Sequence, residues 1–256
     1  MLLAIDVGNT NIVIGVFQRD ELVHSWRLTT IRERTADEMG ILVTDLCEYH
    51  HIRIPDITGI VIGSVVPPLT GTMSAMAVKY FGHMPLVFEP AMNGGMPNLY
   101  DNPAEVGADR IVNAIAACAR YGRGRPIIVV DFGTATTFDA ISAKGEYLGG
   151  VICPGPQISA DALFQRAARL PRIEVKKPAH VVGTNTVASM QSGLYWGYVD
   201  MVEGLVRRVK GELGGDAVVV ATGGLAVMMA VELRVLEHVD LDLTLQGLRL
   251  VWEQQR

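Results

Sequence analysis

The stretch Leu2-Leu3-Ala4-Ile5-Asp6-Val7-Gly8-Asn9-Thr10 has a counterpart half the chain later, Ile127-Ile128-Val129-Val130-Asp131-Phe132-Gly133-Thr134-Ala135. Each is an apolar run that ends in Asp-x-Gly-x-Thr/Ala, which reads as a buried strand delivering a carboxylate, a glycine and a hydroxyl or amide to one turn. Glycine at that point lets backbone N–H groups come close to anionic oxygens, so the turn suits a nucleotide phosphate and its metal. For a single copy an ordinary hairpin turn explains the residues equally well, since Asp, Gly and Asn are common turn formers. Two copies in matching surroundings favour a duplicated fold with phosphates bound between its halves.

The surroundings match. Asn11 to Phe17 and Leu22 to Leu28 read as strands flanking the polar turn Gln18-Arg19-Asp20-Glu21, and Thr134 to Ile141 and Glu146 to Cys153 flank Ser142-Ala143-Lys144-Gly145 in the same way. Thr35 with Glu38 has the form of a capping box, and Met39, Leu42, Val43, Leu46 and Cys47 fall on one face of the helix it would start. Gly59 to Val66 reads as a buried strand, Pro67 to Tyr80 as a helix opened by proline and Leu86 to Phe88 as a short strand. The first half is therefore βββαβαβ. In the second half, helices are expected over Gln157 to Leu170, Thr186 to Leu213 and Leu225 to Leu233, with a strand at Ala217 to Ala221. The break Tyr121-Gly122-Arg123-Gly124-Arg125-Pro126 sets the expected division of this α/β chain at 1–122 and 123–256.

A hydrophobic content of 49% with 19% charged residues over 256 residues fits a well-packed globular protein. The formal charge of −5 argues against a general nucleic-acid or acidic-membrane binder, while small anions remain open to a nest of backbone N–H groups. Cys47, Cys118 and Cys153 are scattered and odd in number, so neither a disulfide framework nor a zinc site is expected, and none of the six histidines has metal-ligand spacing. The first residues lack a basic leader, and the longest apolar run, Ala217 to Val231, falls short of the roughly 20 residues of a membrane span. A cytoplasmic protein is the expectation. No G-x-x-x-x-G-K-[ST] is present and no G-x-G-x-x-G follows a strand, which disfavours P-loop and dinucleotide folds.

A third turn, Thr222-Gly223-Gly224 after Val218-Val219-Val220-Ala221, could lay bare backbone against an adenine or ribose, or could be a plain strand-to-helix turn. Asp6 and Asp131 sit where phosphates and cations must be managed, and Mg²⁺ needs only one or two carboxylates. Asp109 precedes the periodic residues Ile111, Ala114, Ile115 and Cys118, so it is a candidate N-cap, or a proton acceptor beside Arg110. Arg110 is a candidate carboxylate clamp or a surface ion-pair partner, and Thr186 a candidate cap for the long helix after it.

These motifs resemble known ones. DVGNT, DFGTATTFD and TGG are similar to the two phosphate motifs and the adenosine motif of the actin, sugar-kinase and Hsp70 superfamily. Tyr100-Asp101-Asn102-Pro103-Ala104-Glu105-Val106-Gly107-Ala108-Asp109-Arg110, Gly149 to Gly155, Asn185-Thr186 and Met190-Gln191-Ser192-Gly193 resemble type III pantothenate kinase, and the likeness spans nearly the whole chain. The resemblance implies two actin-like, ribonuclease H-like halves with a nucleotide cleft between them. It implies ATP-dependent phosphorylation of pantothenate to 4'-phosphopantothenate, the first step of coenzyme A biosynthesis, with Asp109 as general base. ATP would be held by Asp6, Val7, Gly8, Asn9, Thr10, Asn11, Ile12 and Val13, by Thr134, and by Gly223 and Gly224. Pantothenate would meet Tyr100, Gly107, Ala108, Asp109, Arg110 and Thr186. Asp131 would hold a monovalent cation, K⁺ or NH₄⁺, while Mg²⁺ arrives with ATP near Asp6. A homodimer is also implied, with the pantothenate pocket at its interface. The helix from Thr186 fits a partner or a buried core, because Met190, Leu194, Tyr195, Tyr198 and Met201 exceed one narrow apolar face. Two rival readings keep the fold: another small-molecule kinase or ATPase, and a regulator without catalysis, against which the intact Asp109, Arg110 and Asp131 weigh.

Overall fold

The expected strands and one that the sequence did not mark assemble into two five-stranded mixed sheets in the computed structural model, which describes residues 1–255. The first holds β1 (Leu2–Val7), β2 (Asn11–Gln18), β3 (Glu21–Thr29), β4 (Gly59–Ser64) and β5 (Leu86–Phe88), in the order β3-β2-β1-β4-β5. The second holds β6 (Ile127–Phe132), β7 (Ala135–Ile141), β8 (Tyr147–Pro154), β9 (Val218–Thr222) and β10 (His238–Val239), in the order β10-β9-β6-β7-β8. Read from its third strand, each sheet has the same order. In each, the strand that ends in Asp-x-Gly pairs antiparallel with its successor and parallel with the strand on its other side. The duplicated α/β class follows from that pairing. The central strands are buried almost throughout, which explains their unbroken apolar runs.

The chain divides into two compact units, one of Met1–Ala116 together with the segment from Leu243, the other of Ala117–Asp242. In the first, α1 (Ala36–Tyr49) starts at the expected capping box: Glu38 N donates to Thr35 Oγ1 at 3.2 Å, and Thr35 N donates to Glu38 Oε2 at 2.7 Å. Helix α1 and α2 (Pro67–Met76) bring Met39, Val43, Leu69 and Met73 onto Ile5, Ile14, Ile60 and Ile62, one continuous core. Helix α3 (Ala108–Ala117) completes the N-terminal part of this unit. The second unit contains α4 (Pro156–Arg166), α5 (Thr186–Glu212) and α6 (Ala226–Ala230). Its core sets Val130, Phe132, Phe138 and Val219 against Leu194, Tyr195, Val202 and Val206.

Helix α7 (Leu243–Gln254), absent from the sequence expectation, returns to the first unit and covers β1, β2 and β4. The division at 122 and 123 does not contain this return. The reason lies in the pleat: Ile60 and Ile62 face α1 and α2, so Gly59 faces the other way. A Cβ on Gly59 would lie 2.2 Å from Trp252 Cζ2, and one on Gly247 2.0 Å from Val112 O, so glycine lets α7 approach both β4 and α3. Strand β10, two residues long, is too short for any alternation to reveal. Helices α4 and α6 stop at Arg166 and Ala230, short of the expected Leu170 and Leu233. Among the described residues, no helix is long and apolar enough to cross a membrane.

Candidate active site

The Asp6 turn is built by the end of β1. Val7 pairs with Ile12, leaving Gly8 to Asn11 to reverse the chain, and Gly8 N donates to Asn11 O at 3.0 Å. Asp6 and Val13 sit opposite each other just inside the turn, while Asn9 and Thr10 stand exposed at its tip. The segment after β3 holds the tip from outside: Thr30 Oγ1 donates to Gly8 O at 2.7 Å and Thr30 N to Thr10 O at 3.0 Å. Arg32 Nη2 donates to Asn9 Oδ1 at 3.2 Å.

The Asp109 segment reaches the same corner of this unit. Val65, just past β4, donates its N–H to Val7 O at 3.0 Å. A Cβ on Gly107 would lie 3.6 Å from Val65 Cγ1 and only 2.4 Å from Asp109 Oδ1. Glycine at 107 therefore leaves the carboxylate its place. Asp109 is the second residue of α3 rather than its N-cap, because the helix already begins at Ala108. Its Oδ1 accepts from Arg110 N at 2.8 Å. Burial pushes the Asp109 carboxyl above the usual carboxylate range; the Arg110 N–H and guanidinium pull it down, and burial wins. Arg110 is itself buried, at 8% exposure, so the surface ion-pair alternative does not hold. Ala108 is buried too, Gly107 is half-buried, and half-buried Tyr100 donates its N–H to Asn98 Oδ1 at 3.1 Å.

In the second unit, Phe132 pairs with Thr136, leaving Gly133 to Ala135 as the turn, and Gly133 N donates to Ala135 O at 3.1 Å. Thr134 is exposed at the tip. Gly155 N donates to Thr134 O at 3.1 Å, and a Cβ on Gly155 would lie 2.3 Å from that oxygen, so the Pro154-Gly155 backbone rests directly on the turn. From the other side comes Gly223. Its φ of +94° is one that L side chains rarely adopt, and a Cβ there would lie 2.4 Å from Asp131 Oδ1. The third turn thus closes on the second, and Gly224 beside it faces open space. A carboxylate oxygen such as that of Asp131 is a ligand type that alkali and alkaline-earth cations favour, and glycine backbone at 223 and 224 leaves room for a flat ligand. Buried Asp139, unremarked in the sequence motif that contains it, lies behind: Tyr147 OH donates to its Oδ1 at 2.7 Å and Thr137 Oγ1 to its Oδ2 at 3.4 Å. Thr137 is the cross-strand partner of Asp131.

Thr186 is exposed at the first position of α5, and the cap is the neighbouring Asn185, whose Oδ1 accepts from Ala188 N at 2.9 Å. The capping alternative for Thr186 therefore passes to Asn185. Thr186 lines a cavity of about 760 Å³ with Leu163, Leu170, Ser189 and Met190. Ser189 Oγ donates to Gly183 O at 3.3 Å and Ser192 Oγ to Val181 O, holding the loop that forms one wall. Met190, Leu194, Tyr195 and Tyr198 lie in the core of the second unit.

Comparison with known proteins bears on this arrangement. A family model described as type III pantothenate kinase matches residues 2–208. A type III pantothenate kinase of Moorella thermoacetica is 54% identical over 254 residues, covering 99% of each chain. One of Myxococcus xanthus is 55% identical over 252 residues, covering 98% of each. Among solved structures, a protein described as a Baf family transcriptional activator from Campylobacter jejuni superposes with a TM-score of 0.61 at 18% identity, covering 99% of this chain and 98% of its own, a likeness of fold.

Proposed function

This chain belongs to the type III pantothenate kinases, ATP-using enzymes that phosphorylate pantothenate for coenzyme A synthesis, and from that premise we propose that Asp109 is the general base. The observation that carries the assignment is a carboxyl held above its ordinary range by burial, on the first turn of α3 and in the same corner as the Asp6 turn. A base with a raised pKa accepts a proton more readily, provided the working pH keeps it ionised. Asp109 takes the proton of the primary hydroxyl of pantothenate as that oxygen attacks the γ-phosphorus of ATP. The bond from that phosphorus to the bridging oxygen breaks, and ADP leaves. Product is 4'-phosphopantothenate.

The other roles follow from chemistry. Arg110 offers paired N–H donors to the pantothenate carboxylate, and its burial makes that contact strong. Tyr100, Gly107, Ala108 and Thr186 form the remaining substrate contacts. Residues Asp6 to Val13 and Thr134 hold the triphosphate, and Gly223 with Gly224 presents bare backbone to the adenosine. Mg²⁺ beside Asp6 and K⁺ or NH₄⁺ at Asp131 supply positive charge to the phosphate oxygens when bound. The enzyme works in the cytoplasm as a homodimer, with the Thr186 cavity contributing to the pantothenate pocket at the subunit interface.

The test is an assay of ADP and phosphopantothenate formation with and without K⁺, run beside Asp109→Asn. The expected result is turnover that requires the monovalent cation and falls by about 10²–10⁴ in the variant. Unchanged activity in Asp109→Asn removes the base, and strong turnover on a sugar with none on pantothenate removes the substrate. Light scattering on the purified enzyme should give twice the chain mass; a monomer that turns over at full rate contradicts the shared pocket.

A further inference from the structure

We propose that Arg32 is a further triphosphate contact: its guanidinium, held at the tip of the Gly8 to Asn11 turn, pairs with the terminal phosphate of ATP. The inference rests on the reading that this turn binds ATP, and starts from a deficit of charge. The turn from Asp6 to Asn11 brings one carboxylate and no cationic side chain, yet it is assigned a highly anionic ligand. Backbone N–H groups and a bound divalent ion offset part of that mismatch.

Arg32 stands where the remainder is needed. Its segment is anchored twice to the turn, through Thr30 Oγ1 on Gly8 O at 2.7 Å and Thr30 N on Thr10 O at 3.0 Å. Two residues on, the exposed Arg32 side chain donates from Nη2 to Asn9 Oδ1 at 3.2 Å, its single hydrogen bond among the described residues. No carboxylate within ion-pair distance neutralises it among those residues. A guanidinium is donor-only, so Asn9 turns its carbonyl rather than its amide NH₂ toward Arg32 and orients the fork with one of five N–H groups. The other donors remain for oxygens arriving at the tip. A phosphoryl group in transfer spreads its charge over three equatorial oxygens, which a planar two-pronged donor matches better than a point charge. Asn9 is thereby both a turn residue and the positioning group for Arg32.

The experiment compares binding of a non-hydrolysable ATP analogue and of ADP to the wild-type enzyme, Arg32→Ala, Arg32→Lys and Thr30→Val, alongside kcat and KM for ATP. Arg32→Ala should weaken the analogue by about tenfold to a hundredfold, the worth of a charge-assisted contact, while ADP binding stays within about twofold. Arg32→Lys should recover part of the affinity and less of kcat, because charge returns without the fork. Thr30→Val should move ATP in the same direction by a smaller factor, since it loosens the anchor. Equal loss for both nucleotides, or no loss for either, overturns the contact with the terminal phosphate. Should the wild-type enzyme bind neither nucleotide, the assignment of the turn to ATP fails first and takes this proposal with it.

Discussion

The two Asp-x-Gly turns begin alike and end differently. Each leaves the central strand of its sheet, and each closes with a glycine N–H donating back into the turn. The first runs from Gly8 to Asn11, the second from Gly133 to Ala135, one residue shorter. What leans on them differs more. The first is held by the backbone and side chain of Thr30 and by the side chain of Arg32, and shares its corner with the half-buried Asp109. The backbone of Gly155 and of Gly223 comes against the second, beside the half-buried Asp131. On the proposed reading both copies meet the triphosphate, with proton transfer and Mg²⁺ at the first and a monovalent cation at the second.

The largest expected effect breaks the comparison on its catalytic side. Asp109→Asn should lower kcat/KM by about 10²–10⁴, and the wild-type rate should fall as acid protonates Asp109 at a pH above the ordinary aspartate range. Stability should move the other way. A carboxyl whose folded-state pKa is raised contributes stability below its unfolded pKa and loses it as pH rises through the folded value. At neutral pH the ionised group is therefore a burden, so Asp109→Asn should melt higher than wild type, by a margin that shrinks on acidification. A variant that melts lower at neutral pH would show that the carboxylate is stabilised in place.

On the cation side, Gly223→Ala forces a side chain into a left-handed backbone and within 2.4 Å of Asp131 Oδ1. The expected cost is about 1–3 kcal/mol in denaturant unfolding, with a higher K⁺ requirement. Wild-type stability in that variant would mean that Gly223 and Asp131 are not so closely seated. The smallest effect sharpens the contrast in how the turns are held: Thr30→Val removes one hydrogen bond to Gly8 O and should lower stability by about 0.5–1.5 kcal/mol. Equal sensitivity of K⁺ and ATP to that change would contradict the separation of roles.

Much of this was legible in the residues. The strands, the repeat and the capping box at Thr35 are local patterns, and each formed where its pattern predicted. The return of α7 was not, because glycines at 59 and 247 signal a close approach without naming what approaches. Strand β10 is too short to carry a period. At the candidate site, the capping alternative for Thr186 fell to the adjacent Asn185, since both residue types are good caps. Arg32 carried no signal at all. An exposed arginine in a polar loop acquires meaning only once Thr30 fastens that loop to the Gly8 turn.

The division of labour between the two turns is tested most directly by the K⁺ dependence of the initial rate in Asp131→Asn and Asp6→Asn, measured side by side at saturating pantothenate. Asp131→Asn should raise the half-saturating K⁺ concentration by about tenfold to a hundredfold, whereas Asp6→Asn should lower the rate at every K⁺ concentration and leave that midpoint in place. A midpoint that shifts equally in both variants, or only in Asp6→Asn, would contradict the assignment.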